Sequence, residues 1–530
     1  MINYIAIIVC ILSVLFSLIE GSNYLDTHHD AIIFSNSIFI MNGLLPYKDF
    51  YVQYGIIQPT INAALFSIFG ARFLIQNLVV AVVYALFLYF NFKIVKIILN
   101  EKAALLFLLI LFFLDPFVIL PWPNFFIGLF SCIGLYYFTK HIKYENINFF
   151  FISMFFFCLL PLTRINAGII IIPILLIYSS YILYRNKSIV NLFKLIASLT
   201  PLLLLLYLFS DQDFIKQAVI LPSEYILPLY FKIPNDILYI AALHINLFFL
   251  EPNLFSGISA TEILFFWRYI LILGIIVSTL YIFFQVIRGK ISEKSTLLAF
   301  IFACCSGSMS SSVFPIFDSF RAINAWYPFL LILFIILFKN ISSRKFYAVA
   351  VSVLTFLAYI NITTPAVSIY TLSSLYKFDN FKIQLVDFSK KFKVSSRDQF
   401  DNVKGEPQSL KLNQYQRLPL SQYSKLDNIL KTKCEDKKFI STSEDFFIYL
   451  LIPDMYSKLA HKMYYYQAFT TLKGIPVDAN RILYPEFTET LNSHDGLCFL
   501  HLHRKPNILL DGLIKFNDEI KIGDHSVFIR

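Results

Sequence analysis

From Ile2 to about Ile360 the chain runs through one apolar stretch after another, many of them about 18 residues or longer. Such a stretch, coiled as a helix, matches a hydrocarbon core of about 30 Å. Inside a bilayer every backbone N–H and C=O must be satisfied within the protein, so the chain is expected to cross as α-helices. About eleven spans can be marked: 3–20, 72–92, 103–119, 124–139, 148–161, 166–184, 190–209, 263–287, 295–306, 323–338 and 346–361. Residues 1–20 have neither a basic leading segment nor a small-x-small cleavage site, so they read as an uncleaved first span. The expected fold is a polytopic α-helical membrane domain over 1–362, followed by a water-soluble C-terminal domain over 363–530. Composition agrees: 58% of the 530 residues are hydrophobic and 15% are charged, where a soluble chain carries about a quarter charged.

The net charge of +10 does not point to nucleic acid, because the basic residues are short clusters between apolar runs. One set of loops holds Lys93, Lys96 and Lys102; Lys140 and Lys143; Arg185, Lys187 and Lys194; Arg288, Lys290 and Lys294; and Lys339, Arg344 and Lys345. The alternate loops are poor in basic residues. The positive-inside rule therefore predicts a cytoplasmic first set and N-terminus, and an odd number of spans predicts an outer C-terminal domain. Carboxylates cluster on the predicted outer side, among them Asp26, Asp30, Asp49, Asp211 and Asp213, which is where binding or chemistry is expected. Two outer loops are long, about 21–71 and about 210–262. In the first, stretches 30–42 and 56–69 are expected as helices lying in the membrane interface.

Of the seven cysteines, Cys10, Cys132, Cys158, Cys304 and Cys305 fall in or beside apolar runs, as small apolar fillers. Cys434 and Cys498 belong to the C-terminal domain and pair if it faces an oxidising compartment; otherwise they are two buried thiols. In that domain Lys438–Thr442 and Leu497–His501 read as short buried strands, and Phe446–Ala460 reads as a helix interrupted near Pro453, giving an α/β or α+β expectation. No phosphate-binding Gly-rich loop and no GxSxG elbow is present there.

The first outer loop is the richest stretch. It reads Leu25-Asp26-Thr27-His28-His29-Asp30, then Met41-Asn42-Gly43-Leu44-Leu45-Pro46-Tyr47-Lys48-Asp49-Phe50-Tyr51-Val52-Gln53-Tyr54-Gly55, and closes with Phe66-Ser67-Ile68-Phe69-Gly70. An acid soon after the first span, a Gly about a dozen residues on, Pro-Tyr-basic-Asp, Gln-Tyr-Gly and a closing Phe-Gly together resemble the GT-C superfamily of membrane glycosyltransferases. The similarity is to its bacterial branch, with the protein mannosyltransferases and the lipid A aminoarabinose transferase. It covers about Asp26 to Gly70; beyond that only the architecture agrees.

The resemblance implies a polyprenyl-phosphate sugar as donor and an envelope glycolipid, polysaccharide or protein as acceptor. An acidic residue of the first outer loop would be the base, and the displacement would invert configuration. Asp30 is the first candidate base and Asp26 the second; at positions four apart on a helix both would share a face. Neither is followed by a second acid, as the family's acid often is, and either would otherwise serve as a helix N-cap. Adjacent His28 and His29 point different ways, so they suit orienting the acceptor or the acid better than a metal site. Lys48, Arg164 and Arg321 are candidate donors to the leaving phosphate. A charge at Arg164, between two short spans, is costly unless paired or facing a cavity; Asp318 is a local partner for Arg321. Asp49 is a candidate contact, with a role in fixing its own loop as the alternative. No cofactor is required; a divalent metal is compatible with the reaction. The rival readings are a flippase or transporter of lipid-linked sugars, a polymerase or ligase of envelope glycans, and a non-catalytic assembly protein.

Overall fold

The computed structural model describes residues 1–25, 29–50, 52, 54–114, 123–186, 188–220, 280, 282–285, 287–290, 293–313, 319–338, 345, 352, 411–412, 425–426, 428–429, 432–434, 437–441, 497–502, 518–522 and 525–529. Most are helical: α1 (Ile2–Asn23), α2 (His29–Met41), α3 (Ile57–Phe69), α4 (Phe73–Ile98), α5 (Glu101–Leu114), α6 (Asn124–Tyr144), α7 (Ile147–Cys158), α8 (Leu160–Thr163), α9 (Ile171–Asn186), α10 (Ile189–Ser198), α11 (Thr200–Leu208), α12 (Gln212–Ile215), a π turn (Lys216–Ile220), α13 (Lys294–Val313) and α14 (Ser319–Phe338). Strands are β1 (Tyr24–Leu25), β2 (Lys411–Leu412), β3 (Lys438–Ser441), β4 (Leu497–Leu502), β5 (Asp518–Ile522) and β6 (His525–Ile529). The chain divides into two compact units. The expected spans 263–287 and 346–361, and the helix expected at Phe446–Ala460, lie almost or entirely outside the described residues.

The first unit comprises Met1–Glu20, Leu78–Phe209 and Asn235–Ile383. By length and composition two helices, Leu74–Ile98 and Asn124–Tyr144, can cross a membrane among the described residues, and Ile189–Ser198 with Thr200–Leu208 forms a third candidate bent by 49°. That bend falls where Thr200-Pro201 follows Leu199: Pro201 has no N–H to continue the first helix and suits the first turn of the second. Helix α6 is central, packing on α7, α13 and α14. Small residues let the helices close on one another, as expected where no water drives them together. A Cβ on Gly134 would stand 2.7 Å from the buried Phe157 ring of α7, and Ser153 of α7 donates its hydroxyl to the Gly134 carbonyl at 2.7 Å. The first turn of α9 is capped from across the bundle: Ser308 Oγ of α13 accepts from Ile170 N–H at 3.0 Å and Ile171 N–H at 2.7 Å.

Among the described residues, four of the five basic loops meet at one end of this bundle. Lys96 lies 3.1 Å from Asn3 Oδ1 and 2.5 Å from Glu101. Lys143 donates to the Ile97 carbonyl at 2.7 Å, Lys194 donates to Asn148 Oδ1 at 2.7 Å, and Lys294 pairs with Glu145. The Lys96 and Lys294 ammoniums hold the carboxyls of Glu101 and Glu145 below the usual range. The aliphatic flanks of α1 (Ile7, Ile8, Ile11, Leu15) and of α11 (Leu203, Leu204, Leu206) are exposed, as lipid-facing surfaces would be.

The second unit comprises Gly21–Asn77, Ser210–Pro234 and Gln384–Arg530. Its sheet runs β3-β4-β6-β5, with β3 parallel to β4 and the other neighbours antiparallel. Val527 and Ile529 alternate onto its buried side. A Cys434–Cys498 disulfide joins the segment before β3 to β4. Strands appear at both positions expected from the sequence. Separately, β1 pairs in parallel with β2, Tyr24 opposite Lys411 and Leu25 opposite Leu412.

Candidate functional site

Helices α2 and α3 pack as a hairpin around Phe34, Ile38 and Phe66, with the Phe34 and Phe66 rings 5.1 Å apart. Residues 32–39 of α2 are buried on every side, so its apolar residues are not an interfacial stripe: Ile32, Ile33, Phe34, Ile38 and Phe39 surround the helix axis and meet protein all round. Helix α3 does keep an open apolar side, with Ile61, Ile68 and Phe69 exposed, which suits a helix lying in the interface. The α2–α3 packing also buries amides: among the described residues neither polar side-chain atom of Asn62 has a hydrogen-bond partner, and Asn36 Oδ1 has none.

Helix α2 stops at a left-handed Gly43, φ 86°. Gly43 N–H returns to the Ile40 carbonyl at 2.9 Å and Leu44 N–H to Phe39 at 3.0 Å, satisfying carbonyls the helix leaves open. The Pro46–Phe50 turn follows. Asp49 closes it, its N–H donating to the Leu45 carbonyl at 2.9 Å and its carboxylate accepting from Leu45 N–H at 2.7 Å. Phe50 is buried against Phe39, ring centroids 5.2 Å apart. Tyr47 takes a left-handed backbone, φ 68°, which costs a non-glycine residue about 1–3 kcal/mol. Its surroundings hold it there. Its ring is buried edge-on against Phe214 at 4.7 Å, and its hydroxyl donates to the Tyr54 carbonyl at 3.2 Å. Burial pushes that phenol above the usual tyrosine range. Gln217 completes the brace, its amide donating to the Tyr47 carbonyl and accepting from Val52 N–H at 3.3 Å. Lys48 and Asp49 stand exposed between the buried Tyr47 and Phe50.

Asp26 and His28 lie outside the described residues. His29 and Asp30 are the first two residues of α2, their side chains outside the description. The two-residue β1 strand immediately precedes Asp26, so the candidate acids follow directly on a tether to the C-terminal segment. Arg164 ends α8 in an extended conformation, φ −159°, and is half-buried; its N–H returns to the Leu160 carbonyl at 2.9 Å, and its carbonyl accepts from Ala167 N–H at 2.8 Å. Arg321 is in the first turn of α14, its side chain outside the description. The structure thus places His29, Asp30, Lys48 and Asp49 in one unit and Arg164 and Arg321 in the other. Phe214 and Gln217 were not singled out from the sequence. A glutamine in Phe214-Ile215-Lys216-Gln217-Ala218 carries no motif, and its partners are 165 and 170 residues away.

No family model matches the chain, and no curated protein matches it. Among solved structures it is similar to ArnT from Cupriavidus metallidurans bound to undecaprenyl phosphate: 10% identity, 98% of this chain and 97% of that one covered, TM-score 0.48. The apo state of ArnT from Cupriavidus metallidurans gives 12% identity, the same coverages and a TM-score of 0.46. The Archaeoglobus fulgidus oligosaccharyltransferase in the apo form gives 11% identity, 94% and 69% coverage, and a TM-score of 0.46.

Proposed function

We propose that this chain is a GT-C-type glycosyltransferase of a bacterial plasma membrane. In this reading it moves a sugar from a polyprenyl phosphate to an envelope glycolipid, polysaccharide or protein on the outer face. The observation that carries the reading is the first outer loop: its Pro46-Tyr47-Lys48-Asp49 motif is one braced turn that leaves a cation and a carboxylate exposed between buried anchors. A loop held this firmly suits a site that must be organised before its substrates arrive.

The chemistry needs few groups. Asp30, with Asp26 as the second choice, takes the proton from the acceptor hydroxyl or amine as that atom attacks the anomeric carbon. The bond from the anomeric carbon to the phosphate oxygen breaks, and its electron pair leaves with the polyprenyl phosphate. Attack opposite the leaving group inverts configuration. Lys48, or alternatively Arg164 or Arg321, is the proposed cation for the phosphate charge, and His28 and His29 orient the acceptor or the acid. No cofactor is needed for this displacement. In this reading the N-terminus and the basic loops are cytoplasmic and the C-terminal domain is outside, where an oxidising compartment would keep Cys434–Cys498 closed.

The test is sugar transfer in purified membranes supplied with radiolabelled polyprenyl-phosphate hexoses. Loss of the base should lower transfer about 10²–10⁴-fold in Asp30→Asn, or in Asp26→Asn if that residue is the base, at unchanged expression. Equal rates in wild type and both variants would remove the assignment of the base. No transfer from any donor would favour the flippase or assembly readings.

A further inference from the structure

Gln217 is buried, 2% exposed, in a single π turn. Such turns are rare and are frequently found at functional sites. Here one amide makes both of its hydrogen bonds to backbone atoms at the two ends of the Tyr47–Val52 segment. In the residues just before it, Phe214 supports the Tyr47 ring. Between those two ends Lys48 is exposed. The neighbouring Asp49 carboxylate is turned back onto Leu45 N–H, and among the described residues no carboxylate pairs with Lys48. The segment therefore holds an ammonium outward with its charge available to an anion.

We infer that Gln217 is a positioning residue. By bridging the Tyr47 carbonyl and Val52 N–H it fixes the turn that presents Lys48 to the phosphate of a polyprenyl-linked ligand. The inference rests on the glycosyltransferase reading for the ligand and on the hydrogen bonds alone for the brace. Gln217 touches no ligand itself, so it should act wholly through Lys48.

A double-mutant cycle tests this on the full chain in nanodiscs, with undecaprenyl phosphate as the probe. Gln217→Leu removes both hydrogen bonds at similar size, and Lys48→Ala removes the charge. Each should weaken binding about five- to tenfold, and the double variant should bind no more weakly than the weaker single one. Phosphatidylglycerol and inorganic phosphate should compete poorly. Hydrogen exchange over residues 44–55 should speed up in Gln217→Leu and not in Lys48→Ala. Gln217→Glu keeps the acceptor and loses the donor, so it should fall between wild type and Gln217→Leu; it also serves if Gln217→Leu does not fold. Multiplying losses in the double variant, unchanged binding in Gln217→Leu or in Lys48→Ala, or equal competition by any anionic lipid would overturn the inference alone. A wild type that does not bind the probe would overturn the polyprenyl reading and this inference with it.

Discussion

Tyr47 shows how one residue can be held in a backbone region it disfavours. Its ring, hydroxyl and carbonyl each have a partner, Phe214, Tyr54 and Gln217. Ser308 is the corresponding residue of the helical unit. It receives two N–H groups that start α9 and is itself fully buried. Ser308→Ala leaves those donors without their acceptor, so unfolding in detergent should become easier by about 1–3 kcal/mol, with Ser308→Thr restoring most of the loss. Equal stability of the alanine variant would mean that other groups cap α9. Such contacts were hidden from the sequence, because a lone Ser in Ser306-Gly307-Ser308 or a lone Gln in an aliphatic run has no period or spacing to mark it. The Pro46-Tyr47-Lys48-Asp49 motif was legible because its residue types are contiguous.

Among the described residues, hydropathy finds helices where they form but not where they end. Helix α4 was expected to stop at 92 and continues to Ile98, past Lys93 and Lys96; long lysines carry their charge to the surface while their stems stay on the apolar helix. Helix α9 was expected from 166 and starts at Ile171, after a turn in which a Cβ on Gly168 would stand 2.4 Å from Ile172. The position of α2 was misjudged for a related reason: periodicity describes a helix's own faces and is silent on how many of them other segments cover. In the C-terminal sheet the Cys434–Cys498 bridge spans 64 residues, a loop whose closure is worth about 4 kcal/mol. Cys498→Ser should lower the unfolding midpoint of the full chain, and reductant should lower that of wild type but not of the variant. A wild-type midpoint indifferent to reductant would show that the two thiols are not paired.

For the whole molecule, among the described residues four of the five basic loops that the positive-inside rule assigns to one side come together, through Lys96, Lys143, Lys194 and Lys294, at one end of the helical unit; Lys339 and Arg344 of the fifth lie outside the described residues. The other unit gathers three distant parts of the chain: Gly21–Asn77, Ser210–Pro234 and Gln384–Arg530. Within that grouping Gln217 reaches the Tyr47–Val52 segment, and strand β2 reaches β1, from far along the sequence. A transferase breaks the donor's bond to phosphate, and the fate of that donor tests this. Purified protein in proteoliposomes would receive a polyprenyl-phosphate hexose and an acceptor extract, followed by quantification of lipid phosphate and of the product's anomeric configuration. Free polyprenyl phosphate should appear in step with glycosylated acceptor of inverted configuration, and both should be lost in the Asp30→Asn or Asp26→Asn protein. Donor that crosses the bilayer intact, with no phosphate released, would contradict the transferase reading.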